Sequence, residues 1–209
     1  MSNYLAVATV TAVLRDLLQE AAGMAVPGAT VTTRRPELVN DGGQNKPIVN
    51  IFLYLVAPNP FWRNADLTLR HPEPERIEKR SQTPLNLSYL FSFYGNELEL
   101  EPQRLLGSVV STIHTHPRLS PQAIHSTVGR ESHLRDSDLE LQVAQIEHVT
   151  LTPISLNLEE LSQLWSVLFQ VPYALSVAYM ASTVLIETGV SYQTGIVKEV
   201  HIEPPEVMS

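Results

Sequence analysis

The stretch Ile48-Val-Asn-Ile-Phe-Leu-Tyr-Leu-Val56 is the strongest strand signal in the sequence, and it decides the fold class. Its residues are apolar on both faces, which is typical of a central strand in a sheet that is covered on both sides. Pro58 and Pro60 end the strand. We therefore expect a β-sheet at the centre of the fold, with this strand in its interior.

A second strand is predicted for residues 85–94, because apolar and polar residues alternate there. One face carries Leu85, Leu87, Tyr89, Phe91 and Phe93, and the other carries Asn86, Ser88 and Ser92. Further strands are predicted for residues 29–33, 139–151 and 173–187.

Helices are predicted where apolar residues recur with helical spacing. These segments are residues 3–22, 102–114 and 121–127, and a further helix that Asn157 and Glu160 open as a capping box. The order of elements indicates a single α/β (α+β) domain with a mixed β-sheet flanked by helices. We assign residues 1–187 to this domain and residues 188–209 to a C-terminal tail or arm.

Composition excludes several classes of protein. The formal net charge of the 209-residue chain is -8, and binding of nucleic-acid phosphates requires Lys and Arg, so we expect no nucleic-acid partner. The chain has no cysteine, which excludes disulfides, iron–sulfur clusters and thiol nucleophiles. The apolar run at residues 4–14 follows no basic residue and is too short to span a bilayer, so we expect neither a signal peptide nor a membrane partner.

Catalytic motifs are absent from the sequence. There is no Gly-x-Ser-x-Gly elbow and no glycine-rich phosphate loop. His114 and His116 with an acidic partner leave a metal-dependent hydrolase as an alternative, in which His125 and His133 could complete the site, although histidines at a helix end and in loops explain the pattern more simply. The acidic cluster of Glu97, Glu99 and Glu101 is interpreted as charge compensation at a helix start. We assign no catalytic, cofactor-binding or metal-binding residue, and no cofactor.

Two segments are candidates for contact surfaces. The first lies in the proline-rich stretch 57–84, which is predicted as a long loop with a hairpin around Pro72-Glu-Pro74. Its aromatic, guanidinium and polar groups are of the kind that anchor protein contacts. The alternative interpretation is that Trp62 packs onto its own domain. The second is the tail, where a strand over 196–202 either covers an edge of its own sheet or extends a neighbour's sheet, and a frayed terminus is the simpler alternative. The candidate interface residues are Phe61, Trp62, Arg63, Asn64, Asp66, Ile196, Val197, Val200 and Ile202.

Several stretches, in order along residues 4–187, resemble one family. They are Tyr4-Leu-Ala-Val-Ala-Thr-Val-Thr-Ala-Val-Leu14, Asn50-Ile-Phe-Leu-Tyr-Leu-Val-Ala-Pro-Asn-Pro60, Trp62-Arg-Asn-Ala-Asp-Leu67, Tyr94-Gly95, Leu100-Glu-Pro-Gln-Arg-Leu-Leu-Gly-Ser-Val-Val110, Leu158-Glu-Glu-Leu-Ser-Gln-Leu-Trp165 and Pro172-Tyr-Ala-Leu-Ser-Val-Ala-Tyr179. Together they resemble the domain found in the cap, or tail terminator, of extracellular contractile injection systems, which are phage tail-like particles that deliver toxins.

The resemblance implies a phage tail terminator-like fold and a structural role without catalytic residues. It implies a homohexameric ring that contacts the sheath protein and the inner tube protein, ends their polymerisation and joins their distal ends. A baseplate or neck protein of such a particle is the alternative. The resemblance also implies synthesis in a bacterial cytoplasm, followed by incorporation into a particle that is either extracellular or cytoplasmic.

Overall fold

The structure, a computed structural model, describes residues 4–36, 39, 46–60, 67–70, 76–135, 146, 148–168 and 171–195. For residues 67–70, 76–82 and 187–195 the description covers the backbone only. The helices of these parts are α1 (Ala6–Ala25), α2 (Glu101–Thr115), α3 (Pro121–Arg130) and α4 (Leu158–Val167). The strands are β1 (Thr30–Thr32), β2 (Ile48–Pro58), β3 (Leu67–Arg70), β4 (Arg76–Tyr94), β5 (Thr150–Ile154) and β6 (Leu175–Gly195).

The strands form one mixed sheet in the order β1-β2-β4-β6-β5, and β3 pairs with the outer half of β4. β1 is parallel to β2, whereas the other neighbouring strands are antiparallel. The predicted α/β class and mixed sheet are confirmed, and β2 lies inside the sheet as expected. Only its first half is covered, because Val49 and Ile51 are buried while Leu55 and Val56 are exposed.

The main core lies on one face of the sheet, where α1, α2 and α3 pack. Alternate residues of β4 point into it, as the sequence predicts: Leu87, Tyr89, Phe91 and Phe93 are buried in this cluster. Each of the three helices contributes an apolar stripe to the same cluster, since helical spacing brings such residues to one face. The stripes include Val10, Leu14 and Leu18 of α1, Leu105, Val109 and Ile113 of α2, and Ile124 and Val128 of α3.

A smaller core lies on the opposite face of the sheet, under α4. Trp165 and Leu168 pack there on Leu90 and Ala174. The ring of Trp165 also meets Tyr173 edge-on, with ring centroids 5.7 Å apart. Asn157 and Glu160 form the predicted capping box, in which each side chain accepts from the other residue's backbone N–H. Helix α4 therefore covers the second face of the sheet, as expected from a β2 sequence that is apolar on both faces.

Two sequence predictions are wrong. Among the described residues of the strand predicted over 139–151, Ile146 is helical and the strand begins at Thr150, whereas residues 139–145 and 147 lie outside the described residues. β5 continues through Pro153, which an edge strand tolerates because, among the described residues, no strand pairs with its outer side at that position. The strand predicted to start at Leu85 starts nine residues earlier, at Arg76, so the described residues of the predicted long loop 57–84 are largely strand.

Strand β6 continues to Gly195, beyond the boundary at residue 187 that we predict between the domain and its tail. The division into these two parts stays a prediction. β3 and β4 pair antiparallel with Arg70 opposite Ile77, as expected for a hairpin around residues 72–74. Residues 71–75 and 196–209 lie outside the described residues.

An extension of the sheet reaches beyond the cores. It comprises β3, residues 76–83 of β4 and residues 187–195 of β6, and we name it the outer ribbon. Nine residues of extended strand span about 30 Å at ~3.3 Å per residue. The ribbon is thus a three-stranded projection whose middle strand, β4, runs directly into the main core.

Candidate assembly surfaces

The contact residues predicted from sequence lie outside the described residues. This holds for the first set, Phe61, Trp62, Arg63, Asn64 and Asp66, and for the second set, Ile196, Val197, Val200 and Ile202. Both sets stay predictions. The surfaces that follow are built from residues whose surroundings the structure describes.

The turn between β4 and α2 is held by a network of short hydrogen bonds. The side chain of Asn96 accepts from Leu98 N–H at 3.0 Å, and Asn96 N–H donates to the Glu101 carboxylate at 2.7 Å. Gly95 and Leu100 adopt positive φ values of 154° and 54°. Glu101 lies in the first turn of α2, which agrees with its interpretation as a helix-start carboxylate. The fixed backbone makes this turn a rigid platform.

This turn exposes apolar side chains. Leu98 is 95% exposed, and Leu100 is also exposed. An open pocket of about 380 Å³ adjoins the turn at Gly95 and Glu97, and the exposed Tyr173, which precedes β6, lines this pocket. Large apolar groups on a fixed backbone lose little entropy on binding, so they are good anchors for a protein partner. We name Leu98, Leu100 and Tyr173 the exposed turn patch.

Sequence analysis misses the exposed turn patch. The segment Glu97-Leu-Glu-Leu-Glu101 alternates charged and apolar residues, and we interpret only its carboxylates. One sequence signal could have revealed this surface. Leu98 and Leu100 stand between acidic residues just before Pro102, and residues at such a helix start do not belong to the apolar face of the helix. An exposed leucine alone needs no explanation, but several on a rigid turn mark a contact surface.

Both edges of the core sheet are covered. At the β1 edge, the Gln19 side-chain amide donates to Ala29 O and accepts from Val31 N–H, both at 2.9 Å. At the β5 edge, Leu151 N–H donates to Pro117 O at 2.8 Å, and Arg118 forms a bridge to Thr150. Covered edges prevent strand pairing with other chains. The core sheet is therefore closed to lateral extension at these positions.

The outer ribbon differs from the core sheet. β5 pairs with β6 only at residues 178–182 of β6. In the part of the chain that the structure describes, no strand pairs with the outer side of β6 beyond that point or with the outer side of β3. With respect to the described residues, the ribbon thus presents two unpaired backbone edges, which are a template for strand addition.

A polar cluster joins α1 to α3. The Asp16 carboxylate accepts from Thr127 Oγ1 at 2.9 Å and from Arg130 Nη2 at 2.7 Å. Arg15 pairs with Asp16 and with Glu131, and its bond to Glu131 is the main reason that its pKa is raised. Opposite charges are satisfied within the cluster, so it is a structural clamp between the helices.

The histidines of the hydrolase alternative do not converge on a metal site. His114 lies in the last turn of α2 and His116 caps its end, and both are exposed. His125 is on α3, and His133 lies 3.1 Å from Glu131. Among the described residues, no three His, Asp or Glu side chains are grouped so that they could hold a metal ion. The same residues include no helix with the length and apolar character needed to cross a membrane.

Comparisons with known proteins agree with this structural picture. The family described as the Pvc16 N-terminal domain matches residues 9–199, and the chain belongs to that family. Among curated proteins, none matches the sequence.

Two solved structures share the fold. A cryo-EM structure of the PVC sheath/tube terminator in the extended state, from an extracellular contractile injection system, is 15% identical with a TM-score of 0.59 and covers 93% of this chain. A cryo-EM structure of the anti-feeding prophage cap, a tube terminating cap, is 14% identical with a TM-score of 0.58 and covers 90% of this chain. The matched regions span 64% and 59% of those chains, so this chain corresponds to less than two thirds of either length. The terminator-like fold and the family resemblance are confirmed.

Proposed function

We propose that this chain is a structural cap of a contractile injection system, which ends tube and sheath polymerisation and joins the distal ends of the two. The family match over residues 9–199 carries the proposal, and the fold shared with two terminators supports it. One of these structures is named as a sheath/tube terminator of an extracellular contractile injection system, and the other as the tube terminating cap of the anti-feeding prophage. The chain acts through contact surfaces rather than through chemistry on a substrate.

A cap needs one surface for the last ring of the polymer and another for its own neighbours. We propose that the chain forms a homohexameric ring and that sheath protein and inner tube protein are its partners. A ring built by rotation uses two unlike surfaces on each subunit. The exposed turn patch and the outer ribbon lie at opposite ends of β4, so two separate surfaces are present. Synthesis in a bacterial cytoplasm and incorporation into a particle complete the proposal.

The position of the chain in intact particles tests the proposal. A tag placed after residue 209 and labelled with gold is expected at the particle end opposite the baseplate. A label at the baseplate end would favour the alternative of a baseplate protein. A label at a junction between the tail and a further part of the particle would favour a neck protein. Absence of the label from purified particles would contradict any structural role in them.

The exposed turn patch is the proposed docking surface for the last polymer ring. Changing Leu98 and Leu100 to Ser removes two apolar anchors without opening the core, because neither side chain is buried. We expect incorporation into particles to fall at least tenfold, since that corresponds to ~1.4 kcal/mol of lost binding. Leu158→Ser is the matched control, because Leu158 is 84% exposed on α4. Equal incorporation of both variants would exclude this surface from docking.

A further inference from the structure

The two free edges of the outer ribbon are unlike each other. One is the outer side of β3, which is four residues long, and the other is the outer side of β6 over residues 187–195. β3 and β6 are each antiparallel to β4, so they run in the same direction. A ribbon with these edges can pair with an identical ribbon beside it through a parallel β6–β3 contact.

The contrast with the core sheet indicates that the free edges have a purpose. An uncovered strand edge promotes aggregation, and proteins normally cover it. This chain does so at β1 through Gln19 and at β5 through residues 117–119. The ribbon edges have no such cover among the described residues. A contact made only after assembly explains why they are left open.

Irregular pairing separates the ribbon from the core. Ser182 and Thr183 of β6 together face Asn86 of β4, and Thr183 has a positive φ of 66°. Further along, residues 188–190 of β6 face the single residue Ser81. Bulges of this kind bend a strand and increase its twist. The first bulge lies where the ribbon meets the core and the second lies within the ribbon, so the ribbon is not a regular continuation of the core sheet.

Charge is also unevenly distributed over the ribbon. β3, at one edge, carries Arg70 as its only charged residue, whereas residues 187–195 of β6, at the other edge, carry only Glu187. The charges of the outer half of β4 lie on the middle strand and belong to neither edge, so the β3 edge is positive by one charge and the β6 edge is negative by one charge. Opposite charges at the two edges favour joining unlike edges and disfavour joining two β3 edges.

We infer that the β6 edge of one copy pairs with the β3 edge of the next copy, so that the outer ribbons form a continuous belt of strands around the ring. Contacts between unlike edges are heterologous and close into a ring when the rotation permits. The inference rests on the proposed ring and names the contact that holds it together. The partner at this surface is a second copy of this chain.

Disulfide trapping tests the belt, and the absence of native cysteine removes all background. Thr68 lies opposite Lys79, which lies opposite Tyr192, so Thr68 and Tyr192 are two strand spacings apart within one copy. That separation of about 10 Å is too long for a disulfide inside a chain. Thr68→Cys is combined in turn with a single cysteine at each position from 187 to 194, which covers offsets between copies. Each variant is oxidised as purified chain and in assembled particles.

At least one pair is expected to give a covalent ladder that ends at a closed ring, whereas each single-cysteine variant gives at most dimers. Thr32→Cys with Tyr192→Cys is the matched control, because Thr32 lies on the covered β1 edge, and it should give no ladder. No ladder from any pair in either sample overturns the inference. If no ladder appears but native mass spectrometry still detects the ring, the belt is excluded while the proposed cap function stands. A monomeric product closed between Tyr192→Cys and Val200→Cys also overturns it, because the chain then covers its own edge.

Discussion

The hydroxyl groups of Thr11 and Tyr89 lie 2.8 Å apart where α1 packs on β4. Thr11 Oγ1 also donates to Val7 O at 2.9 Å, and a hydroxyl has one proton, so Tyr89 is the donor to Thr11. Tyr89 is fully buried. This hydrogen bond therefore provides an acceptor for a phenol hydroxyl that cannot reach water, and it connects α1 to β4.

Removing both partners of this pair is expected to cost less free energy of unfolding than the sum of the two single removals. Thr11→Val leaves the buried Tyr89 hydroxyl without an acceptor and should lower the free energy of unfolding by about 1–3 kcal/mol. Tyr89→Phe should lower it by about 1 kcal/mol, and the double variant by clearly less than the sum. Chemical denaturation of the four proteins measures these values. Additive losses would show that the hydroxyls do not interact.

Burial of Tyr89 also predicts a dependence on alkaline pH. Burial raises the pKa of Tyr89 above the value of ~10 that it has in the unfolded chain. The unfolded chain then loses its proton first, so stability is fully present below about pH 10 and falls as pH rises further. Tyr89→Phe should show a shallower fall, although the pKa of Tyr54, Tyr94 and Tyr179 is also raised by burial. Parallel stability curves from pH 8 to 11 would contradict this account.

The Asp16 cluster is expected to hold α3 against α1. Asp16→Asn keeps the shape of the side chain but weakens its bonds to Arg15, Thr127 and Arg130. Charge-assisted hydrogen bonds are stronger than neutral ones, so stability should fall by about 1 kcal/mol. Amide hydrogen exchange in α3 should also become faster. Glu20→Gln removes a carboxylate from an exposed position on the same helix, and an equal loss there would point to net charge instead.

Two glycine substitutions should have opposite effects. Gly95 has a φ of 154°, and a β-carbon there would lie 2.7 Å from the Glu101 carboxylate and 2.9 Å from its Cβ. Gly95→Ala should therefore destabilise the fold by roughly 2 kcal/mol. Gly107 lies within α2 with nothing near the added carbon, so Gly107→Ala should stabilise it by roughly 0.5–1 kcal/mol. Thermal unfolding compares the two, and equal shifts would contradict the turn geometry.

Thr183 stores local strain in β6. A β-branched residue rarely adopts positive φ, and Thr183 has a φ of 66° at a bulge. Thr183→Gly is expected to raise the free energy of unfolding by about 1 kcal/mol, because glycine adopts this conformation without steric cost. Thr183→Ala should give a smaller gain. A loss of stability in the glycine variant would show that the threonine side chain compensates for the strain.

The core could be predicted from sequence, and the outer ribbon could not. Strong alternation from Leu85 to Phe93 reveals the buried half of β4, because one face meets three helices. Residues 76–83 of the same strand carry four charges and one apolar residue. These residues show no apolar period that would predict a strand. Backbone pairing places them in a strand, and a sequence pattern reports burial rather than pairing.

The candidate contact surfaces are also missed because sequence patterns report burial. Leu98 escapes prediction because apolar residues are normally assigned to cores, and its exposure depends on the fixed turn between Gly95 and Glu101. The family, by contrast, follows from ordered motifs along the chain, and the match over residues 9–199 confirms it. The ordered motifs reflect shared ancestry with a family of assembly proteins. The apolar periodicity of single strands and helices reflects only which residues are buried, so it does not indicate a function.

Particle length tests the central claim most directly. A cap determines where tube and sheath stop together, so particles assembled without this chain should vary widely in length and show tube and sheath ends that no longer coincide. Restoring the chain should return a single length with matched ends. Negative-stain imaging of particles with and without the chain gives both distributions. Particles of uniform length with matched ends in its absence would contradict the account.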